Sequence, residues 1–238
     1  MCETDVSSIS DEGHLLCTVA PEGETAFAPS GLYSPDRLWA TGQRLGVQFL
    51  DPIHPLIQMA VLGIARLWSR AANIDFDLAE AGGDIRITTR ENGNWSHLGT
   101  DARLRDPDTP TMCLSVLRGR YAVSRYRRVI LHEFGHALGL GHEHQHPRAA
   151  IRWDEDAAIR AYAKLGWPED KVRRCLFSPL ADHESTAYDE RSVMHYPIPA
   201  QIQKAGKARG GATRLSRGDR ELVARLYPGR ERGRTRQK

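Results

Sequence analysis

The sequence predicts an α+β fold, and three observations lead to it. Short stretches of alternating apolar residues, the mark of half-buried strands, recur at 45–49, 74–78, 85–87 and 111–117. Two longer stretches, 54–72 and 125–138, carry their apolar residues at helical spacing. The order up to that point is strand, helix, strand, strand, strand, helix. That order suits a small twisted mixed sheet with two long helices rather than a regular β/α alternation.

The elements follow in sequence. In "LWATGQRLGVQFL" the alternation of Leu45, Val47 and Phe49 marks the first strand. Ile57, Val61, Ile64, Ala65 and Trp68 then line one face of a long amphipathic helix. "IDFDL" places Ile74, Phe76 and Leu78 on one side, and "DIRITTR" does the same with Ile85 and Ile87. "ENGNWSHLGTD" reads as a turn-rich loop, and "TMCLSVL" (111–117) as a further alternating strand. The second long helix ends at Gly139. Beyond residue 142 the pattern is mostly helical or irregular. Asp154 can N-cap a helix running to Leu165, and a shorter helix follows Pro168. Ser216 and Asp219 resemble a capping box, with Leu222, Val223 and Leu226 facing inward behind it.

The 238 residues, 40% of them apolar, can bury a real core and suit roughly one to two domains. Residues 1–35 read as an irregular leader that can lie near the site and restrain it. A body over 36–229 divides into an N-terminal part (36–142) and a C-terminal part (143–229), and 230–238 form a basic, disordered tail. That tail carries +4 and the whole chain +3, so the body is at −1. A near-neutral body argues against a nucleic-acid partner, and no stretch approaches the ~18 apolar residues of a membrane span. The expected protein is a monomer. No apolar run near ~7–15 residues of a secretory signal is visible in the first forty positions, which points to the cytoplasm or to export by another route. Cys2, Cys17, Cys113 and Cys175 lie far apart and are read as free thiols, with a Cys113–Cys175 bridge as the alternative.

The chemistry is concentrated in "HEFGHALGLGH", residues 132–142. Residues four apart on a helix share a face, with Cβ atoms about 5–6 Å apart, so His132 and His136 can reach one metal ion. Glu133 points to the side of that metal, where it can hold a water. A third ligand cannot come from the same helix. Gly139 therefore marks a sharp turn, since glycine accepts positive φ at little cost, and the turn delivers His142. Three neutral imidazoles leave one coordination position open, the pattern of a catalytic zinc rather than a structural one.

This stretch matches H-E-x-x-H-x-x-G-x-x-H, and the sequence resembles a metzincin zinc peptidase, most closely the astacin family. "HEFGHALGLGHEH" resembles that family's zinc helix, including Glu143 directly after the third ligand. "YDERSVMHY" (188–196) resembles its Met-turn, and "NWSHLGTD" its N-S-W-S-x-x-G-x-D loop. "HALGLGH" alone fits a matrixin equally well, and the Tyr of "MHY" favours the astacins. The run "QHPRAAIRWD" after "HEH" is closer to bacterial members than to animal ones, and the Cys positions do not match the animal members' paired disulfides.

The resemblance implies a metzincin, zincin-like fold with a zinc cleft between two subdomains. It implies Zn2+ on His132, His136 and His142, Met194 as the floor of the site, and Tyr196 beside the metal or the reacting oxygen. The function implied is a metalloendopeptidase acting on polypeptides, with Glu133 as general base and Tyr196 on the oxyanion. In such folds the strand before the zinc helix, here 111–117, forms the cleft's upper rim and pairs with an extended substrate. The alternative is a zinc-containing module that binds peptides without cleaving them, a reading that Glu133 opposes. His144 and His146 either bind a second metal or are exposed or packed behind the ligands. His195 is either a substrate-side contact or a packed turn residue, and Trp95 either a cleft aromatic or a loop anchor. Cys17 lies in "HLLCTVAPEGE", which does not match the cysteine switch of matrixins.

Overall fold

Five strands carry the rest of the fold. The computed structural model describes Tyr33 and residues 35–178 and 187–229. Within these residues run β1 (Arg44–Phe49), α1 (Pro55–Ser69), β2 (Asp75–Leu78), β3 (Ile85–Thr88), β4 (Asn94–Ser96), β5 (Met112–Leu114) and α2 (Val123–Ala137). The sheet order is β2-β1-β3-β5-β4. Four strands are parallel, and β4 alone runs antiparallel, against β5. The expected α+β class, with a small mixed sheet and two long helices, is observed. The leader lies largely outside the described residues, as do Cys2, Cys17 and the basic tail.

The alternation places Leu45, Val47, Phe76, Ile85 and Ile87 in one core. Val61, Leu62, Ala65 and Trp68 of α1 join it, as do Ile130, Leu131 and Phe134 of α2. Two contacts fix the angle of α2. The Trp68 indole N–H donates to Leu131 O at 3.0 Å, and Phe134 meets Phe76 edge to face with centroids 5.1 Å apart. α1 begins at Pro55, whose missing N–H costs nothing in a first turn, and the preceding His54 ring accepts from Leu56 N.

Three expectations need correction. Leu78 is 46% exposed and ends its strand outside the core. "ENGNWSHLGTD" is not all loop, because Asn94–Ser96 form β4, paired residue by residue with Leu114, Cys113 and Met112. The strand expected over 111–117 is three residues long and passes into a 3-10 turn at Ser115–Arg118. It is also not at the sheet's edge: β5 has β3 on one side and β4 on the other, which makes β4 the edge strand.

After α2 come α3 (Glu155–Ala163), α4 (Glu169–Val172) with a π-helical turn over Arg173–Phe177, and α5 (Arg217–Leu226). Asp154 caps α3 by accepting from Ala157 N at 3.0 Å. Ser216 and Asp219 form the expected capping box of α5. Ala158, Tyr162, Val172, Leu176, Ile198 and Ile202 build a second, smaller core. α5 turns back instead to the first core through Leu222, Val223 and Tyr227. There the Tyr227 hydroxyl donates to Leu138 O, just past the end of α2, at 2.8 Å.

That last bond is testable. Tyr227→Phe leaves a buried carbonyl short of a donor, a loss of about 1–2 kcal/mol. In a chain of this length the unfolding midpoint should fall by roughly 2–8 °C in a calorimetric scan. An unchanged midpoint would mean that the hydroxyl does not hold the helix end.

Candidate metal centre

α2 presents His132 and His136 one turn apart, and the chain break after Ala137 brings in His142. The break is a Schellman turn. Gly139 N donates to His136 O at 2.7 Å, Leu140 N donates to Gly135 O at 3.0 Å, and Gly139 sits at φ 86°. A side chain there would strain the backbone. The turn has a second effect that the sequence did not reveal. It swings the Leu140 carbonyl back under the helix, where His136 Nδ1 meets it at 2.7 Å. His132 Nδ1 makes the matching bond to Val193 O at 2.8 Å.

Carbonyl oxygens only accept, so both Nδ1 atoms carry the proton and both Nε2 atoms present lone pairs. His136 Nε2 lies 3.1 Å from His132 Nε2 and 3.1 Å from His142 Nε2. One ligand atom from each ring falls within 4.8 Å of the others. Burial also keeps the rings neutral. It lowers His132 to about 4 and holds His136 and His142 well below the ordinary histidine range, helped by the neighbouring imidazoles. Three buried, neutral imidazoles whose Nε2 atoms converge suit a cation, and an N3 donor set with one open position suits zinc.

Beneath the ligands lies the turn carrying Met194, which is 2% exposed. The methionine can approach the helix because residue 135 is glycine. A Cβ there would sit 2.3 Å from Met194 Sδ and 3.2 Å from the Trp68 ring. Glu143 ties the turn to the ligand segment from both ends. Its N–H donates to Met194 O at 3.1 Å, and its Oε1 accepts from Asp189 N at 2.7 Å. Burial, with the charges of Asp219 and Asp189, pushes the Glu143 carboxyl up to about 8 against that hydrogen bond.

Glu133 is 1% exposed. Its charge adds to the burial that raises the Cys113 thiol to about 11. The Tyr196 ring packs 4.3 Å from His142, at 61°, and 5.9 Å from His132. The structure therefore gathers His132, His136, His142, Glu133, Met194 and Tyr196 in one place.

The neighbouring histidines are also placed. His144 is not exposed. Its ring stacks on Tyr196 at 4.3 Å and 18°, and its Nε2–H donates to Cys175 O at 2.8 Å. Burial lowers it to about 3. His146 is also buried, with Nδ1 accepting from Arg148 N at 2.9 Å. His195 is a packed turn residue, held by Tyr196 O at Nδ1 and by the Tyr188 hydroxyl at Nε2. Trp95 packs against Cys113 as an anchor of β4. Cys113 and Cys175 are free thiols. The residues missed in the sequence are Gly135, Asp219 and the stacking partner His144. Of these, only the "HEH" and S-x-x-D patterns drew notice to their positions.

The family model for the astacin peptidases matches residues 32–209. A solved structure of myroilysin is 32% identical with a TM-score of 0.76, covering 84% of this chain and 99% of that one. A crystal structure of myroilysin is 31% identical with a TM-score of 0.67, covering 92% and 93%. High choriolytic enzyme 1, a hatching-enzyme zinc-protease of the medaka fish Oryzias latipes, shares 22% identity with a TM-score of 0.57, covering 82% and 96%. At that identity the likeness speaks for the fold alone. No curated protein matches the chain.

The donor set leads to a direct expectation. The purified protein should hold about one zinc per chain, and His136→Ala should lose most of it, because the site needs three protein ligands. Metal analysis finding full zinc in that variant would remove His136 from the site.

Proposed function

The chain belongs to the astacin family of zinc metalloendopeptidases, and from that premise we propose that Glu133 is its general base and Tyr196 its oxyanion donor. The observation that carries this reading is the convergence of three buried neutral imidazoles, with the Tyr196 ring packed on His142 and the buried Glu133 next to His132 in the chain.

The chemistry that zinc supplies on His132, His136 and His142 is Lewis acidity, which acidifies water and polarises a carbonyl. Glu133 accepts the proton of the attacking water and delivers it to the leaving amine. The Tyr196 hydroxyl donates a hydrogen bond to the oxyanion of the tetrahedral species. The low exposure of both residues limits competition from solvent. An extended polypeptide would add to the sheet at the outer side of β4, the last strand in its order among the described residues. This edge replaces the rim first assigned to 111–117. We take 36–229 as the catalytic domain, acting as a monomer without a nucleic-acid or membrane partner. Among the described residues no helix is long and apolar enough to cross a membrane. The non-cleaving alternative finds no support, since Glu133 is present and buried next to a ligand.

Digestion of casein, sensitive to a zinc chelator, tests the activity itself. Glu133→Ala should keep zinc and fold while losing about 10²–10⁴-fold in turnover. Near-normal turnover in a zinc-loaded Glu133→Ala protein would show that another group activates the water.

Tyr196→Phe separates the oxyanion role from mere packing. The ring remains between His142 and His144, so zinc content should stay near that of the parent. If the hydroxyl acts in the transition state, kcat should drop about 10²–10³-fold with little change in KM. A parental kcat would leave the hydroxyl with a structural role only.

A further inference from the structure

Asp219 lies outside the residues matched by the family model, 32–209. It is 4% exposed, with its carboxylate directed at the turn that carries Met194. Oδ1 accepts from the Ser192 hydroxyl at 2.6 Å, and Oδ2 accepts from Val193 N at 3.0 Å and Ser216 N at 2.8 Å. The Ser192 oxygen in turn accepts from Met194 N at 3.0 Å.

These bonds act on the two peptide planes on either side of Val193. Asp219 holds the 192–193 plane directly through Val193 N–H. The 193–194 plane is held at one end by Met194 N–H on Ser192 Oγ. At its other end the Val193 carbonyl accepts from His132 Nδ1 at 2.8 Å. Every donor in this relay points the same way, from His132 toward the carboxylate. The Ser192 oxygen, polarised by donating to an anion, is a better acceptor for Met194 N–H. That amide's carbonyl, Val193 O, is then a better acceptor for His132.

A capping box by itself does not call for this arrangement. The box needs a side-chain oxygen at residue 219 to accept from Ser216 N, and Asp219 uses part of one oxygen for that. The rest of the carboxylate serves the turn. Burial and the nearby Asp189 charge raise its pKa, so keeping an anion here has a cost that hydrogen bonds from Ser192, Val193 and Ser216 offset.

We propose that Asp219 is a positioning residue for the zinc ligand His132, acting through Ser192 and the Val193 carbonyl. It orients the imidazole and increases the donor strength of Nε2, in the way that a carboxylate does when it bonds a ligating histidine directly. The proposal rests on His132 being a zinc ligand.

The test measures zinc affinity of the full chain by competition with a chromophoric chelator. Asp219→Asn should weaken zinc binding about tenfold, within the range found when partners of metal ligands are removed. Ser216→Ala removes the other half of the capping box and the hydroxyl's bond to Asp189 Oδ2 but leaves the carboxylate on Val193 and Ser192. It should lower the unfolding midpoint while keeping zinc affinity within about twofold of the parent, far less than the loss expected of a ligand's partner. Ser192→Ala breaks the relay from the turn side and should weaken zinc severalfold, which keeps the test open if Asp219→Asn fails to fold. With cobalt in place of zinc, the d–d absorption bands should shift in Asp219→Asn and not in Ser216→Ala. Parental affinity in Asp219→Asn, together with zinc loss in His132→Ala, would overturn the proposal alone. Equal weakening in Asp219→Asn and Ser216→Ala would assign the effect to helix capping and overturn it as well. Full zinc in His132→Ala would overturn the ligand assignment and the proposal with it.

Discussion

The site depends on one helix stopping at one residue. α2 sets two imidazoles on a common face, and any further helical residue would carry the chain away from them. The Schellman turn at Gly139 ends the helix and reverses the chain, so that Leu140 O and the His142 ring both arrive at His136. One backbone conformation thus supplies the third ligand and fixes the tautomer of the second. Tyr227 and Trp39 reinforce the same place, with their side chains donating to Leu138 O and Ala137 O. Carbonyls left without helical partners at this end are therefore satisfied by buried donors instead of water.

Charge is arranged with the same economy. The three imidazoles are buried deeply enough to remain neutral, so the site carries no positive charge of its own to repel a metal dication. Acidic groups lie one layer further out, where Glu143, Asp189 and Asp219 share the turn below the ligands. A cation bound above them gains from their field, although none of the three is a ligand. The same proximity explains why burial and mutual repulsion raise the carboxyls of Glu143 and Asp219. A cation above them would favour their charged forms.

Most of this was legible wherever a pattern had a period or a fixed spacing. The two long helices, the strands at 44–49 and 85–88, the side-chain caps Asp154 and Ser216 and the metal ligands all carry such a pattern. β4 was not legible, because three residues hold too little alternation and Asn94–Ser96 form a strand only through pairing with β5. The edge of the sheet was misplaced for the same reason. Leu78 satisfied the alternation and yet lies exposed, since period alone does not say where a strand leaves the core. Gly135 was overlooked because its role is defined by Met194, which lies 59 positions away in the chain. His144 looked like an extension of the metal cluster. Its real neighbour, Tyr196, could be recognised only after the chain had folded back.

The two cores meet at the ligands, and this has a consequence for stability. His132 and His136 belong to the helix of the larger core, whereas Tyr196 belongs to the smaller one. His142 lies on the connection between them. The carbonyl that orients His132 comes from Val193, close to the boundary between the cores. A metal ion that requires all three imidazoles therefore binds only when the connection and the Met194 turn are in place. Binding energy that is available only to the assembled form stabilises that form by mass action. Zinc then does more than enable hydrolysis, because it holds the connection that carries His142 against the helix of the larger core. The hydrogen bonds running from α5 to the turn pre-arrange the same interface before the metal arrives.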